Sequence, residues 1–178
     1  MTLTASVETG SYCEPMIGSV DATWPAAGLQ LLAELTAARG RYVLVDAAAD
    51  AADHLCERLA IGLDLQIVRL GAALAGATQP PAAGDVEAAC GSATILTDLD
   101  MLLWPALEVP ALPFLASRAR RQAVIAVWPG EITGGRARYS SSGRPDHHDA
   151  RLSDVVVLRP RTTRFPDEVP YQIERIAQ

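Results

Sequence analysis

Residues 45–55 read VDAAADAADHL, preceded by the apolar run RYVL (41–44) and followed by CERLAIGL (56–63). The run before the stretch has the character of a buried strand. Leu55 and Leu59 recur at i, i+4 after it, so the chain passes from strand to helix within a few residues. A helix that starts directly after a strand turns its free backbone N–H groups toward the connecting loop, and phosphate is readily held there. A working phosphate loop also needs glycines for its path, a Lys for the β- and γ-oxygens and a Ser or Thr for Mg²⁺. This stretch offers alanines and three carboxylates, Asp46, Asp50 and Asp53, with no cation of its own. Two like charges ~4 Å apart repel by ~4 kcal/mol at an effective dielectric of about 20, so a triphosphate would meet repulsion. The plainer reading is an ordinary helix N-terminus, where acids are favoured by the helix dipole.

Working outward, the apolar segments 65–70, 93–96, 123–128 and 155–158 read as four further strands. Helical patterns at 50–61 and 85–89 separate them, and Pro105, Pro110 and Pro113 allow at best a broken helix over 105–119. Segment 132–140 (ITGGRARYS) predicts a hairpin around Gly134-Gly135. Runs without polar alternation imply strands covered on both faces, hence a three-layer α/β domain with a mainly parallel five-stranded sheet. The predicted domain spans 24–160, with a helix starting at Pro25 and carrying Leu29, Leu32 and Leu35 on one face. Residues 1–23 are polar and aperiodic and read as a flexible arm; 161–178 read as a Pro-rich tail ending in a short helix from Tyr171.

The chain has 178 residues, enough for one domain with a proper core, and its apolar residues are mostly Ala, Leu and Val. All 15 basic residues are Arg, and the net charge of −6 argues against broad contact with nucleic-acid phosphates. Cys13, Cys56 and Cys90 are widely spaced, with no zinc pattern, which fits a reducing cytoplasm. The first 19 residues have neither a basic segment nor an apolar core, so no signal peptide is expected, and no run is long enough to span a membrane.

Segment 96–130, LTDLDMLLWPALEVPALPFLASRARRQAVIAVWPG, and the following EITGGRARYSSSGRPDHHD carry a resemblance. They resemble the small P-loop protein BrxF of BREX phage-defence systems. Trp128, Gly130, Gly135, Tyr139, Gly143 and Pro145 fall in register with the family without a gap. The resemblance implies a P-loop NTPase-like domain with strand order 5-1-4-3-2. It places the phosphate loop at 46–53, with Asp46 and Ala51 for its glycines, Ala52 for its Lys and Asp53 for its hydroxyl residue. The metal-binding Asp position falls on Thr97, the next on Asp98 and the catalytic Glu on Asp100. Pro129 replaces the amide that would sense a γ-phosphate, so both motifs have lost their chemistry.

The function this implies is that of a pseudo-ATPase: a subunit of a BREX-type defence complex, without cofactor or metal, acting as scaffold or regulator. Its partners would be a PglZ-like protein, a methyltransferase and a large ATPase, with DNA reached through the complex. Trp104, Arg120, Trp128, Arg138, Tyr139 and Arg144 are the candidate partner-binding residues, because Trp, Tyr and Arg most often anchor interfaces. Two alternatives stand beside it. One is an active NTPase drawing a cation from elsewhere, such as Arg120. The other is a DNA-binding accessory protein using Arg118, Arg120, Arg121, Arg136 and Arg138. Arg118, Arg120 and Arg121 also fit a solvated helix end, and DHHD (146–149) fits a solvated loop better than a metal cluster.

Overall fold

The computed structural model describes residues 16–23, 28, 31, 40–76, 81–161 and 170–177. Its larger sheet contains β1 (Met16–Thr23), β2 (Tyr42–Val45), β3 (Ile67–Arg69), β4 (Ile95–Thr97), β5 (Ile125–Val127), β9 (Val155–Pro160) and β10 (Pro170–Ala177). Between them come helices α1 (Ala49–Leu63), α2 (Leu70–Leu74), α3 (Ala83–Cys90) and α4 (Ala111–Ala119). A second sheet holds β6 (Glu131–Thr133), β7 (Arg136–Tyr139) and β8 (His148–Arg151).

The seven strands lie in the order β1-β10-β9-β2-β5-β4-β3. Every pair from β9 to β3 is parallel, and those five strands lie in the order that the resemblance implied. The sheet does not stop at five, however. β10 adds antiparallel to β9, and β1 adds antiparallel to β10, with Met16 opposite Ala177. Residues 16–23 of the expected arm are therefore an edge strand, and the segment from Tyr171 is a strand instead of a helix. Most of the helix expected from Pro25, with Leu29, Leu32 and Leu35, lies outside the described residues, as do residues 1–15 and 162–169.

Alternation along the strands builds the two cores. Tyr42, Leu44, Leu96, Ala126, Val155 and Val157 face α2, α3 and α4. Val43, Val45, Ile95, Ile125, Val156 and Leu158 face the other way, toward α1. Helix α1 buries Ala52, Leu55, Cys56 and Leu59, a stripe at i, i+3, i+4 and i+7. It ends at Asp64, whose φ of 53° is left-handed and whose N–H bonds to Ala60 O. Pro113 does not break α4, because it sits in the first turn, where the N–H has no intrahelical partner. The broken reading of 105–119 holds only for its start, where 3-10 turns cover Leu99–Leu103 and Pro105–Leu107. Among the described residues no helix is long and apolar enough to cross a membrane.

Candidate functional site

A cleft of about 710 Å³ opens over the carboxyl ends of β2, β4 and β5. Ligands of open α/β sheets bind at this end, where neighbouring strands send their loops apart. The fold gathers there two acidic stretches that the sequence holds about fifty residues apart: Asp46, Ala52 and Asp53 on one wall, Thr97, Asp98 and Asp100 on another. Ala51 lies on the exposed side of α1. The wall after β5 is formed by Trp128, Pro129, Gly130 and Glu131.

The connection from β2 to α1 is only residues 46–48. Ala48 is the N-cap and has no side chain that could cap the first turn. Ala52 is 2% exposed, so the position aligned with the Lys meets the cleft only as a small methyl at its floor, packed against the core under α1.

The loop has no cation of its own, but the fold brings two arginines from other strands to its acids. Arg69, at the end of β3, lines the cleft and lies 3.4 Å from Asp53 Oδ1. Arg159 Nε donates to Asp46 Oδ2 at 2.7 Å, its Nη2 to Ile132 O at 2.7 Å, and its Nη1 to Glu174. Burial alone would lower the Arg159 pKa, but the hydrogen bonds to Glu174 and Asp46 more than reverse this and raise it above the ordinary guanidinium value. Asp46 is therefore a structural acid joining β2, β9, β10 and the start of the small sheet. Neither arginine belongs to a recognisable motif. The available signal was position: each lies at the carboxyl end of an apolar strand, the end on which the acids converge.

Thr97 ends β4 and is 4% exposed, and its Oγ1 is buried without a hydrogen-bond partner. Asp98 follows with φ 57°. Its carboxylate is crowded by α2, since a Cβ on Gly71 would stand 3.0 Å from Asp98 Oδ2. Asp100 is exposed on the first 3-10 turn.

The proposed partner-binding set divides. Trp128 is 1% exposed; its Nε1 donates to Arg138 O at 3.0 Å, and its ring lies tilted by 54° against His148 with centroids 5.4 Å apart. It is a packing residue and cannot contact a partner. Arg120 lines a different cleft with Gly40, Tyr42 and Ser153, at the amino ends of the parallel strands, so it cannot serve the phosphate position either. Trp104 is 56% exposed and borders a groove with Pro105, Pro110 and His147. Arg138 and Tyr139 border a shallow groove that shares Pro129, Gly130 and Glu131 with the main cleft. Arg144 pairs with Asp146 at 3.0 Å.

Two further expectations need correction. Arg118 is 2% exposed, not at a solvated helix end, and it is unavailable to DNA. Segment 146–149 is not simply a solvated loop, because His148 and Asp149 belong to β8. Burial against Trp128 lowers the His148 pKa, while Asp149 pairs with Arg136 at 2.8 Å. Among the described residues no group of three or more His, Cys, Asp or Glu side chains could hold a metal ion. Comparison with family models, with curated proteins and with solved structures returns no match to this chain.

Proposed function

We propose that this chain is a P-loop-like protein that neither binds nor hydrolyses nucleoside triphosphates and works through protein contacts, as scaffold or regulator in a BREX-type defence complex. The observation that supports the loss of nucleotide chemistry best is the three-residue connection from β2 to α1, residues 46–48. A phosphate loop wraps its backbone around the β-phosphate before the helix begins. Here α1 begins at Ala49, so most of the positions aligned with the loop are already helical. The resemblance at residues 96–145 supports the assignment to BREX, with a PglZ-like protein, a methyltransferase and a large ATPase as partners. Calorimetric titration of the chain with ATP–Mg²⁺ should give no heat of binding. Micromolar affinity would overturn the reading and favour a second one, an NTPase with an atypical site, for which Arg69 in the cleft is the supporting observation.

The contact face in this reading is the groove beside the small sheet, with Arg138 and Tyr139 as anchors and Trp104 and Arg144 on nearby surface. An interface anchor cut to Ala costs about 2 kcal/mol or more, roughly 30-fold in affinity. Pull-down of the defence partners should therefore fail with Arg138→Ala/Tyr139→Ala, once circular dichroism shows the variant folded. Undiminished recovery of every partner would remove this face from the proposal.

A further inference from the structure

The cleft carries a charge balance and an orphaned hydroxyl that the loss of triphosphate binding does not explain. Five carboxylates line it: Asp46, Asp53, Asp98, Asp100 and Glu131. Arg69 is the one cationic side chain among the described residues lining it, and it is engaged by Asp53. Asp46 is held by Arg159. Asp98 and Asp100 have no ion pair among the described residues, and Glu131 meets only the Thr133 hydroxyl. The acidic excess rejects an anion and attracts a cation. The walls enclose a volume suited to a small organic molecule.

Thr97 Oγ1 adds an independent sign of a missing partner. Buried hydroxyls are nearly always hydrogen-bonded, and an orphan at a cleft is a place where a ligand completes the set. This one lies at the end of β4, on a residue lining the cleft and next to the acids. A metal ion is the poorer fit, because no three ligating side chains converge among the described residues. An ammonium or guanidinium group needs only acceptors spread around it, with charge-assisted N–H···O bonds.

We infer that the cleft binds a small organic cation through a primary ammonium or guanidinium group, with Thr97 Oγ1 as acceptor and Asp98 and Asp100 as counter-charges. This rests on the reading of the cleft as closed to triphosphates. The test is calorimetry on the full chain at low salt with agmatine and spermidine. Acetylarginine amide is a third probe, separating a free amine from an arginine side chain presented by a protein. Saturable binding of at least one probe is expected, weakened about tenfold by Thr97→Val, which removes a hydrogen bond to a charged group, and by Asp98→Asn, which removes a counter-charge. Thr97→Val keeps the shape and deletes the orphan, so its melting temperature should equal or exceed that of the parent. Asp98→Asn suits the left-handed backbone there and provides the second arm. Silence with all three probes, or binding that neither substitution alters, overturns the inference. ATP titrated in the same buffer keeps the two ideas apart. Binding of ATP overturns the closed-cleft reading, whereas silence of both ATP and the amines overturns this inference alone.

Discussion

Replacement of Arg118 by Met should lower the unfolding free energy by about 2–3 kcal/mol, the upper range for taking a charged donor away from buried acceptors. Arg118 lies near the end of α4 but points inward, 2% exposed. Its Nη2 donates to Cys90 O at 3.2 Å, Gly91 O at 2.7 Å and Ala93 O at 3.0 Å, and its Nη1 lies 3.5 Å from Glu87. The first two carbonyls close the C-terminus of α3, whose last C=O groups have no helical partner and carry the negative end of the dipole. The third leads into β4. One guanidinium thus fixes the turn that aims β4, and with it Thr97 and Asp98, at the cleft. Met fills the volume but leaves the Gly91 carbonyl unpaired; Cys90 O keeps its bond from Ala93 N at 2.9 Å and Ala93 O its bond from Gln122 Nε2 at 2.8 Å. Urea denaturation of the two proteins measures the difference. A loss below about 1 kcal/mol would mean that water replaces the guanidinium and that the turn does not depend on it.

The second large effect is expected at Gly130. A Cβ there would stand 1.9 Å from Arg138 O and 3.1 Å from Trp128 Nε1. The first atom is backbone in the middle strand of the small sheet, held on both sides by β6 and β8, so it cannot swing away as a side chain end would. Gly130→Ala must therefore push β7 off the corner and break the Trp128 Nε1–Arg138 O bond. Ile132, Ala137 and Leu152 of this region belong to the main core, so the displacement reaches the interior. A loss on the order of 3 kcal/mol or more is expected, in the upper range for single substitutions. Urea unfolding followed by tryptophan fluorescence is the measurement, with hydrogen exchange over 131–139 to localise the damage. An unchanged midpoint and unchanged exchange would show that the close approach is not enforced.

The parallel heart of the sheet was legible because YVLV and VVVL are buried on both faces, and such strands write themselves as unbroken apolar runs. The outer pair was hidden for the same reason in reverse. In β10, Tyr171 and Ile173 face one core and Ile176 the other, but Gln172, Glu174 and Arg175 dilute the pattern, and Glu174 is buried only because Arg159 meets it. The acids of the cleft could be found from sequence, since each follows an apolar strand. Their neutralising partners could not, because Arg159 lies 113 residues from Asp46 and only the fold closes that distance. Arg118 misled for a related reason. Beside Arg120 and Arg121 it reads as a charged helix end, yet in the structure the helix turns it under the α3–β4 turn.

The abrupt passage from β2 into α1 also bears on whether a phosphate loop could be built into this chain. Writing glycines at Asp46 and Ala51, a Lys at Ala52 and a hydroxyl at Asp53 would supply the letters of the motif but not its shape. A Lys at residue 52 would have to displace the packing around Leu55, Leu59 and Val45 to bring its ammonium into the cleft, since a charge left in that layer is strongly disfavoured. Building the loop would require inserted residues that delay the helix, and only afterwards a change of side chains. Of the four positions only residue 52 belongs to the core, so the substitution that brings the cation is the one that disturbs the packing.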